Sequence, residues 1–244
     1  ILKRGEKRGK ITYLKARPPR PMDNEYIKNS HTLALKNNKE KYLNGKLVYI
    51  KDPLPNDIDL DYVLEYIQKR IPQHMMHLVD SVYVGEFSFL KKKDVNALYM
   101  DNAIYVSNDQ TNEDDMIDDV IHEIAHAVED LVGEDLYFDN EIENEFLGKR
   151  ERLCDLLNLE GYKIPLESCR NTEYDEHFDK FLYQNVGYEE LTNITMGLFY
   201  SPYAATSLRE YFANGFEHYF LGDKKYLNSI SPKLYNKVTD IANF

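Results

Sequence analysis

Two histidines and one glutamate in the middle of the chain have the spacing of a metal-binding motif. His122, Glu123 and His126 form the pattern H-E-x-x-H. On a helix, residues four apart lie on one face, so both imidazoles can reach the same ion. Glu123 stands beside the first histidine and can accept a proton from a water molecule without being a ligand. The motif therefore predicts a metal centre that activates water, and zinc is the metal bound at this pattern.

Two histidines do not complete a catalytic zinc site, which needs a third protein ligand. The longer pattern H-E-x-x-H-x-x-G-x-x-H is absent, because Glu129 and Val132 stand at its glycine and last histidine positions. We therefore expect a carboxylate from a second helix. Glu145 follows His126 after 18 intervening residues, a spacing found in gluzincin aminopeptidases. Glu210 lies among aromatic residues whose burial would leave its side chain at the edge of the core.

A tyrosine precedes the second candidate ligand by a short interval. Tyr203 stands seven residues before Glu210, and a phenol near a zinc ion can donate a hydrogen bond to the oxyanion of a tetrahedral intermediate. The segment His122–Asp130 (HEIAHAVED), followed by this tyrosine and by Glu210–Phe216 (EYFANGF), resembles the catalytic domain of the anthrax lethal factor family of zinc metallopeptidases. The sequence resembles in the same way the related Pro-Pro endopeptidases, which share this arrangement of motifs.

The resemblance implies a zincin-like endopeptidase that holds one Zn²⁺ ion and acts on a protein or peptide substrate. It implies His122, His126 and Glu210 as metal ligands, Glu123 as general base and Tyr203 as oxyanion donor. It extends over about residues 45–244. The 83 residues between His126 and Glu210 exceed what we expect for the family, and an insertion around residues 133–175 is the simplest account.

Two alternatives remain open from the sequence. If Glu145 were the third ligand, the protein would be an aminopeptidase-like gluzincin. A non-catalytic zinc-binding structural domain of a toxin or phage particle would keep the ligands without turnover. The presence of Glu123 argues against that second alternative, because a purely structural site needs no general base.

Acids near the motif are candidates to orient the ligand histidines. A zinc-bound imidazole usually donates its second ring N–H to an oxygen. Three residues are placed to accept that hydrogen bond, and the sequence does not choose among them: Asp119, Glu129 and Glu217.

The elements that position the motif follow from hydrophobic periodicity. Strands are predicted at residues 46–51 and 81–90, and a hairpin at residues 97–107 around Asp101-Asn102. The stretches at 83–89 and 97–107 also resemble the active-site sheet of the lethal factor family. Helices are predicted over residues 59–70, from a capping box at Thr111 onward, and over 141–157, 208–221 and 223–243. Strands come first and helices later, which indicates an α+β fold: a small mixed sheet, the active-site helix and a mostly helical C-terminal half.

Composition and charge set the limits of this interpretation. The chain has 244 residues, of which 43% are hydrophobic, enough for a core and too many for global disorder. Residues 1–51 hold 14 Lys and Arg against four acids, a balance of +10, whereas the rest of the chain carries 16 against 38, or −22. We therefore predict a basic, proline-containing arm at residues 1–44 in front of a catalytic domain at residues 45–244.

The same composition restricts the partners. No apolar run approaches the ~18 residues of a membrane span, and nucleic acid is not expected because the acidic body repels phosphate. The oligomeric state stays open. Cys154 and Cys169 can form one bridge or remain two free thiols, so the compartment is undetermined, with a weak preference for a secreted or virion-associated protein.

Overall fold

The structure is a computed structural model that describes residues 41–244. The predicted basic arm, up to residue 40, lies outside the described residues. Over the described residues the fold is α+β, with a small mixed sheet near the N-terminal side and a mostly helical C-terminal half, as the order of the predicted elements indicates.

Five short strands form one sheet in the order β1-β2-β3-β5-β4. The three inner strands run parallel, and both outer strands are antiparallel to their neighbours. The core face of the sheet is made by alternate residues that are fully or almost fully buried, such as Val82, Val84 and Ile104. The strands are β1 (Lys41–Leu43), β2 (Lys46–Ile50), β3 (Ser81–Gly85), β4 (Ala97–Met100) and β5 (Ala103–Ser107).

The predicted hairpin is confirmed, but one predicted strand is too long. Asp101 and Asn102 connect β4 to β5 with φ values of 51° and 60°, as a two-residue turn with positive φ at both positions requires. The strand expected over residues 81–90 ends at Gly85, and Ser88–Lys93 forms a helix instead. The alternating Phe87 and Phe89, which suggested a strand, turn out of the sheet and pack edge-on against Tyr105.

Ten α-helices are present within residues 41–244. They are α1 (Leu60–Arg70), α2 (Ser88–Lys93), α3 (Glu113–Tyr137), α4 (Glu141–Leu159), α5 (Leu166–Arg170), α6 (Glu176–Lys180), α7 (Tyr188–Thr195), α8 (Leu208–Leu221), α9 (Lys224–Ile230) and α10 (Pro232–Ala242). A short 3₁₀ turn at Tyr203–Ala205 precedes α8.

The long helix α3 carries the H-E-x-x-H motif. It begins one residue after its N-cap Asn112, whose side chain accepts a hydrogen bond from the Asp115 amide at 2.9 Å. The cap therefore lies one residue beyond the predicted Thr111, at a residue type that caps helices better than threonine. The apolar face of α3 is buried from Met116 to Val128, while Leu131 beyond it is 43% exposed. This buried face fixes the side of α3 from which the motif projects.

Helix α8 has the predicted bounds and packs against α3. Its N-cap Ser207 accepts a hydrogen bond from the Glu210 amide at 3.1 Å. On its other side α8 meets α10 so closely that a Cβ on Gly215 would lie 2.1 Å from Leu234. The single helix predicted at 223–243 is in fact two helices, because Pro232 starts α10 as its first residue.

A disulfide joins the two cysteines, which decides between the two alternatives that the sequence left. Cys154 of α4 and Cys169 of α5 have Cα atoms 6.2 Å apart. The bridge holds the short helix α5 against the middle of the domain. Among the described residues, no helix is both long and apolar enough to cross a membrane.

Candidate metal centre

The contact between α3 and α8 brings together three side chains that can ligate one ion. His122 and His126 project from α3, and Glu210 projects from the first turn of α8. One nitrogen of each imidazole and one carboxylate oxygen lie within 4.8 Å of one another. Two distances define the geometry: Nε2 of His122 is 3.0 Å from Glu210 Oε2, and Nε2 of His126 is 3.7 Å from Glu210 Oε1. Two imidazoles and one carboxylate are the protein ligands of a familiar class of catalytic zinc site.

Each imidazole has a carboxylate facing its other nitrogen. Nδ1 of His122 lies 3.3 Å from Oε2 of Glu217, which follows Glu210 by about two turns of α8. Nδ1 of His126 lies 3.6 Å from Glu129 Oε2, and the hydroxyl of Tyr137 donates to the second oxygen of Glu129 at 2.5 Å. Carboxylates in these positions set the tautomer of a ligand histidine and raise its basicity.

Of the three acids proposed to orient the histidines, two lie opposite a ring nitrogen of a histidine and one does not. Glu217 serves His122, and Glu129 faces His126. Asp119 instead accepts a hydrogen bond from Gln110 at 3.2 Å, and its burial raises its pKa to about 6.

Arg209 makes a contact that metal binding must change. Its Nε donates to Nδ1 of His126 at 3.1 Å, so in this arrangement the imidazole proton is on Nε2, the nitrogen nearer Glu210. A metal ligand needs a free lone pair on Nε2 and its proton on Nδ1. Glu129 Oε2 is buried and makes no hydrogen bond to any described residue, although Arg209 Nε lies 3.4 Å from it. It can accept that Nδ1 proton. The orphaned oxygen thus fits the ligand tautomer of His126.

Charged neighbours change the pKa values of two candidate ligands, His122 and Glu210. Burial disfavours a charge on His122, but the hydrogen bonds to Glu210 and Glu217 outweigh it and raise the pKa of His122 to about 10. Burial likewise disfavours the charge on Glu210, but His122 and His126 outweigh it and lower the pKa of Glu210. The carboxylates of the cluster therefore favour a positive charge at the His122 imidazole.

Glu123 is held beside the cluster by the backbone of the sheet. It is buried, and its Oε2 accepts a hydrogen bond from the amide of Tyr99 in β4 at 2.5 Å. This contact joins α3 to the outer strand β4. It orients the carboxylate while the other oxygen stays available to a water molecule.

Tyr203 lies near His122. The centroids of the two rings are 6.1 Å apart, and 46% of the tyrosine surface is exposed. Its partial burial and the charge of Glu210 raise the pKa of Tyr203. The phenol therefore stays protonated at neutral pH and remains a hydrogen-bond donor.

Glu145, the rival for the third ligand position, has a different role. Its carboxylate accepts hydrogen bonds from the amides of Lys233 and Leu234 at 2.9 and 3.1 Å and from the hydroxyl of Tyr211 at 2.8 Å. It caps the N-terminus of α10 and is not part of the ligand cluster. With all these bonds made, it has no free direction toward the histidines.

Two cavities lie near the long helix. One of about 400 Å³ adjoins the cluster and is lined by Glu210, Arg209, Glu129, Tyr137 and Tyr174, among others. A larger one of about 490 Å³ lies between α3 and α10, contains His74 and His77, and holds none of the cluster residues. Of these two cavities, the smaller one can receive part of a bound molecule next to the candidate metal centre.

Two residues of the site escaped the sequence analysis. Arg209 is next to Glu210, but an arginine on a helix surface carries no signal of a contact with a histidine 83 positions earlier. Tyr137 is eight residues after Glu129 on the same helix. That spacing, about two turns on one face, was readable, but only once Glu129 had been assigned to His126.

Comparison with protein-family models, curated proteins and solved structures finds no match to this chain.

Proposed function

We propose that the protein is a zinc-dependent endopeptidase with a zincin-like catalytic domain, similar to the lethal factor family. The observation that carries the proposal is the convergence of His122, His126 and Glu210 from two helices, with Glu123 next to them. Donors of this type, each histidine backed by a carboxylate, favour zinc over the oxygen-preferring magnesium and calcium ions.

The residues have complementary tasks in peptide hydrolysis. His122, His126 and Glu210 would hold a zinc ion, which would supply a Lewis acid that lowers the pKa of water to about 7. Glu123 takes a proton from the attacking water, and later delivers it to the leaving amine. Tyr203 donates its hydroxyl hydrogen to the oxyanion that forms on the substrate carbonyl. The amide of Tyr99 keeps Glu123 in the orientation that both proton transfers need.

The position of β4 supports an extended peptide as the substrate. In the described sheet β4 is an outer strand, paired only with β5. On its other edge the Tyr99 amide is bonded to Glu123, and a peptide can pair with the remaining backbone groups of such an edge. This arrangement favours cleavage inside a chain over removal of a terminal residue.

Substitution of the general base tests the mechanism. Glu123→Gln should retain about one zinc ion per chain and lose at least ~10²-fold in kcat, because an amide cannot accept the proton. The measurement is hydrolysis of an N-terminally acetylated peptide library by zinc-loaded protein, with elemental analysis of both variants. Glu134→Gln, the same change at an exposed position of α3, is the matched control and should behave as wild type.

Three results would overturn the proposal in different ways. Near wild-type turnover by Glu123→Gln would show that the mechanism is wrong. Cleavage confined to peptides with a free N-terminus would favour the aminopeptidase-like alternative. A zinc-loaded wild type that cleaves nothing, and is unaffected by a chelator apart from its stability, would favour the structural zinc domain.

A further inference from the structure

A fully buried arginine links the two parts of the chain that carry Tyr203 and Glu210. Arg150 of α4 has no exposed surface. Its Nη1 donates to the carbonyl of Thr206 at 3.1 Å, and its Nη2 donates to the carbonyl of Ser168 at 3.0 Å. Among the described residues no carboxylate lies within ion-pair distance of it, and its guanidinium packs on the ring of Phe178 at 4.1 Å. The buried guanidinium cation of Arg150 thus donates hydrogen bonds to two neutral backbone oxygens.

Such an arrangement is costly and needs an explanation. Burial lowers the pKa of Arg150 to about 10, so the group stays charged at neutral pH. A buried charge without an ionic partner generally disfavours folding relative to an apolar side chain of similar size. Hydrogen bonds from a cation to carbonyl oxygens are, however, stronger than neutral ones and fix the acceptors well. The value of Arg150 is therefore to be sought in what the two carbonyls hold.

The first carbonyl belongs to the turn between the proposed oxyanion donor and the third ligand. The amide and hydroxyl of Thr206 both donate to the carbonyl of Tyr203, at 3.0 and 2.8 Å. The next residue, Ser207, caps α8 through the amide of Glu210. Holding the Thr206 carbonyl therefore holds the turn that starts at Tyr203 and the helix end that presents Glu210.

The second carbonyl belongs to a segment that is itself anchored. Ser168 precedes Cys169, whose disulfide partner Cys154 lies one turn after Arg150 on α4. A few residues further on, the carbonyl of Thr172 accepts a hydrogen bond from the amide of Leu208 in α8 at 2.8 Å. Arg150 thus connects the turn before α8 to a support that a covalent bond fixes in place.

We propose that Arg150 is a positioning residue for peptide hydrolysis, which fixes Tyr203 relative to the metal ligands by holding the carbonyls of Thr206 and Ser168. This inference rests on the proposed function. Glu210 is also held by its place on the buried helix α8. The Tyr203 ring is about half exposed, so its position depends on the buried turn that carries it, and Arg150 holds the Thr206 carbonyl of that turn.

Loss of the guanidinium should affect turnover more than binding. We expect Arg150→Met to lower kcat by roughly tenfold, within the up to 10²-fold loss that a displacement of about 1 Å can cause. KM should change by less than about twofold, because the oxyanion hydrogen bond forms in the transition state. Zinc content should remain at one ion per chain. Arg152→Met, an exposed arginine two residues along the same helix, is the matched control.

A double-mutant cycle separates positioning from general damage. Tyr203→Phe alone should lose roughly 10²–10³-fold in kcat. If Arg150 acts through Tyr203, adding Arg150→Met to Tyr203→Phe should lower kcat by less than about twofold. The same tenfold loss in both backgrounds would overturn the proposal, and so would an Arg150→Met variant with unchanged kcat.

A second measurement needs no turnover. Hydrogen exchange followed by mass spectrometry should show faster exchange in Arg150→Met over residues 203–208 and around Ser168, where the second bond is lost, with the remaining segments as in wild type. Unchanged exchange there would refute the positioning role. If the wild type hydrolyses no peptide, the proposed function fails while the exchange experiment still decides whether Arg150 holds the turn. Should Arg150→Met not fold, Arg150→Lys carries both measurements, with a smaller effect expected because lysine keeps the charge and can reach one carbonyl.

Discussion

At the scale of single residues, the candidate centre is organised around competition between a proton and a metal ion. His122 lies between two carboxylates, Glu210 and Glu217, which favour any positive charge at the imidazole. A zinc ligand must be deprotonated at the coordinating nitrogen. The same carboxylates therefore strengthen the attraction for zinc and for the proton that zinc must displace.

This competition predicts a pH dependence of zinc affinity. The pKa of His122 is raised to about 10, so below that pH the proton has to leave when zinc binds. The zinc Kd should therefore increase by roughly tenfold for each unit that the pH falls between 9 and 7. With an ordinary histidine pKa of ~6.5 the Kd would be almost constant over that range.

Competition against a chromophoric chelator at pH 7, 8 and 9 measures this dependence. Glu217→Gln removes one of the two carboxylates at His122 and should flatten the curve while keeping the ligand set. A wild-type Kd that does not change with pH would contradict the assignment of the raised pKa to His122.

The residues of the centre differ in how far sequence could predict them. His122, Glu123 and His126 follow from local helical spacing alone. Glu210 was one of two candidate carboxylates, and only the resemblance favoured it over Glu145, because a contact with a residue 84 positions away depends on how α8 packs on α3. Arg209 could not be foreseen at all, since its contact with His126 is set by that same helix packing.

At the scale of elements, the N-terminus of α10 explains why Glu145 lies outside the candidate ligand cluster. Amides in the first turn of a helix lack partners within the helix and attract a carboxylate. Glu145 accepts two of them, from Lys233 and Leu234, although it lies on another helix. The number of residues between His126 and Glu145 is therefore not evidence that Glu145 belongs to the candidate metal centre.

Paired substitutions test this assignment. Glu145→Ala should leave the zinc Kd within about twofold of wild type and lower the free energy of unfolding by about 0.5–2 kcal/mol, the usual cost of losing a helix cap. Glu210→Ala should weaken zinc binding by at least roughly 10–100-fold, since changes even outside the ligand shell cost that much. Zinc titration and urea unfolding of both variants provide the comparison. Loss of zinc in Glu145→Ala with retention in Glu210→Ala would reverse the two roles and favour the gluzincin alternative.

Elements with strong local signals were predictable, and those decided by distant contacts were not. The turn at Asp101-Asn102 and the amphipathic helix α8 were confirmed because their residue types and periodicity are local signals. The predicted end of the second strand at residue 90 was wrong. Phe87 and Phe89 lie beyond the end of β3, and both rings pack against Tyr105 of β5. The break before Pro232 was missed although proline at a helix start is a local signal.

At the scale of the whole molecule, the strand-then-helix order was enough to predict the α+β class, but not the covalent link within it. Between Lys93 and Lys149 the chain has 17 acids and no basic residue, and this negative charge favours cations and basic peptides near the long helix. Two cysteines 15 positions apart can be near or far in space, so their pairing needed the packing of α5 on α4.

The disulfide should contribute measurably to the stability of the domain. A bridge that closes a loop of 15 residues removes entropy from the unfolded chain worth about 3 kcal/mol. For a domain of this size each kcal/mol corresponds to about 2–4 °C in Tm, so reduction should lower Tm by roughly 6–12 °C. Calorimetry of the metal-free protein with and without a phosphine reductant measures the shift. The double variant Cys154→Ser/Cys169→Ser should already have the lower Tm and should not respond to the reductant. Equal Tm values for oxidised and reduced wild type would show that α5 is held by its noncovalent contacts, such as the Arg150 bond to Ser168, and not by the bridge.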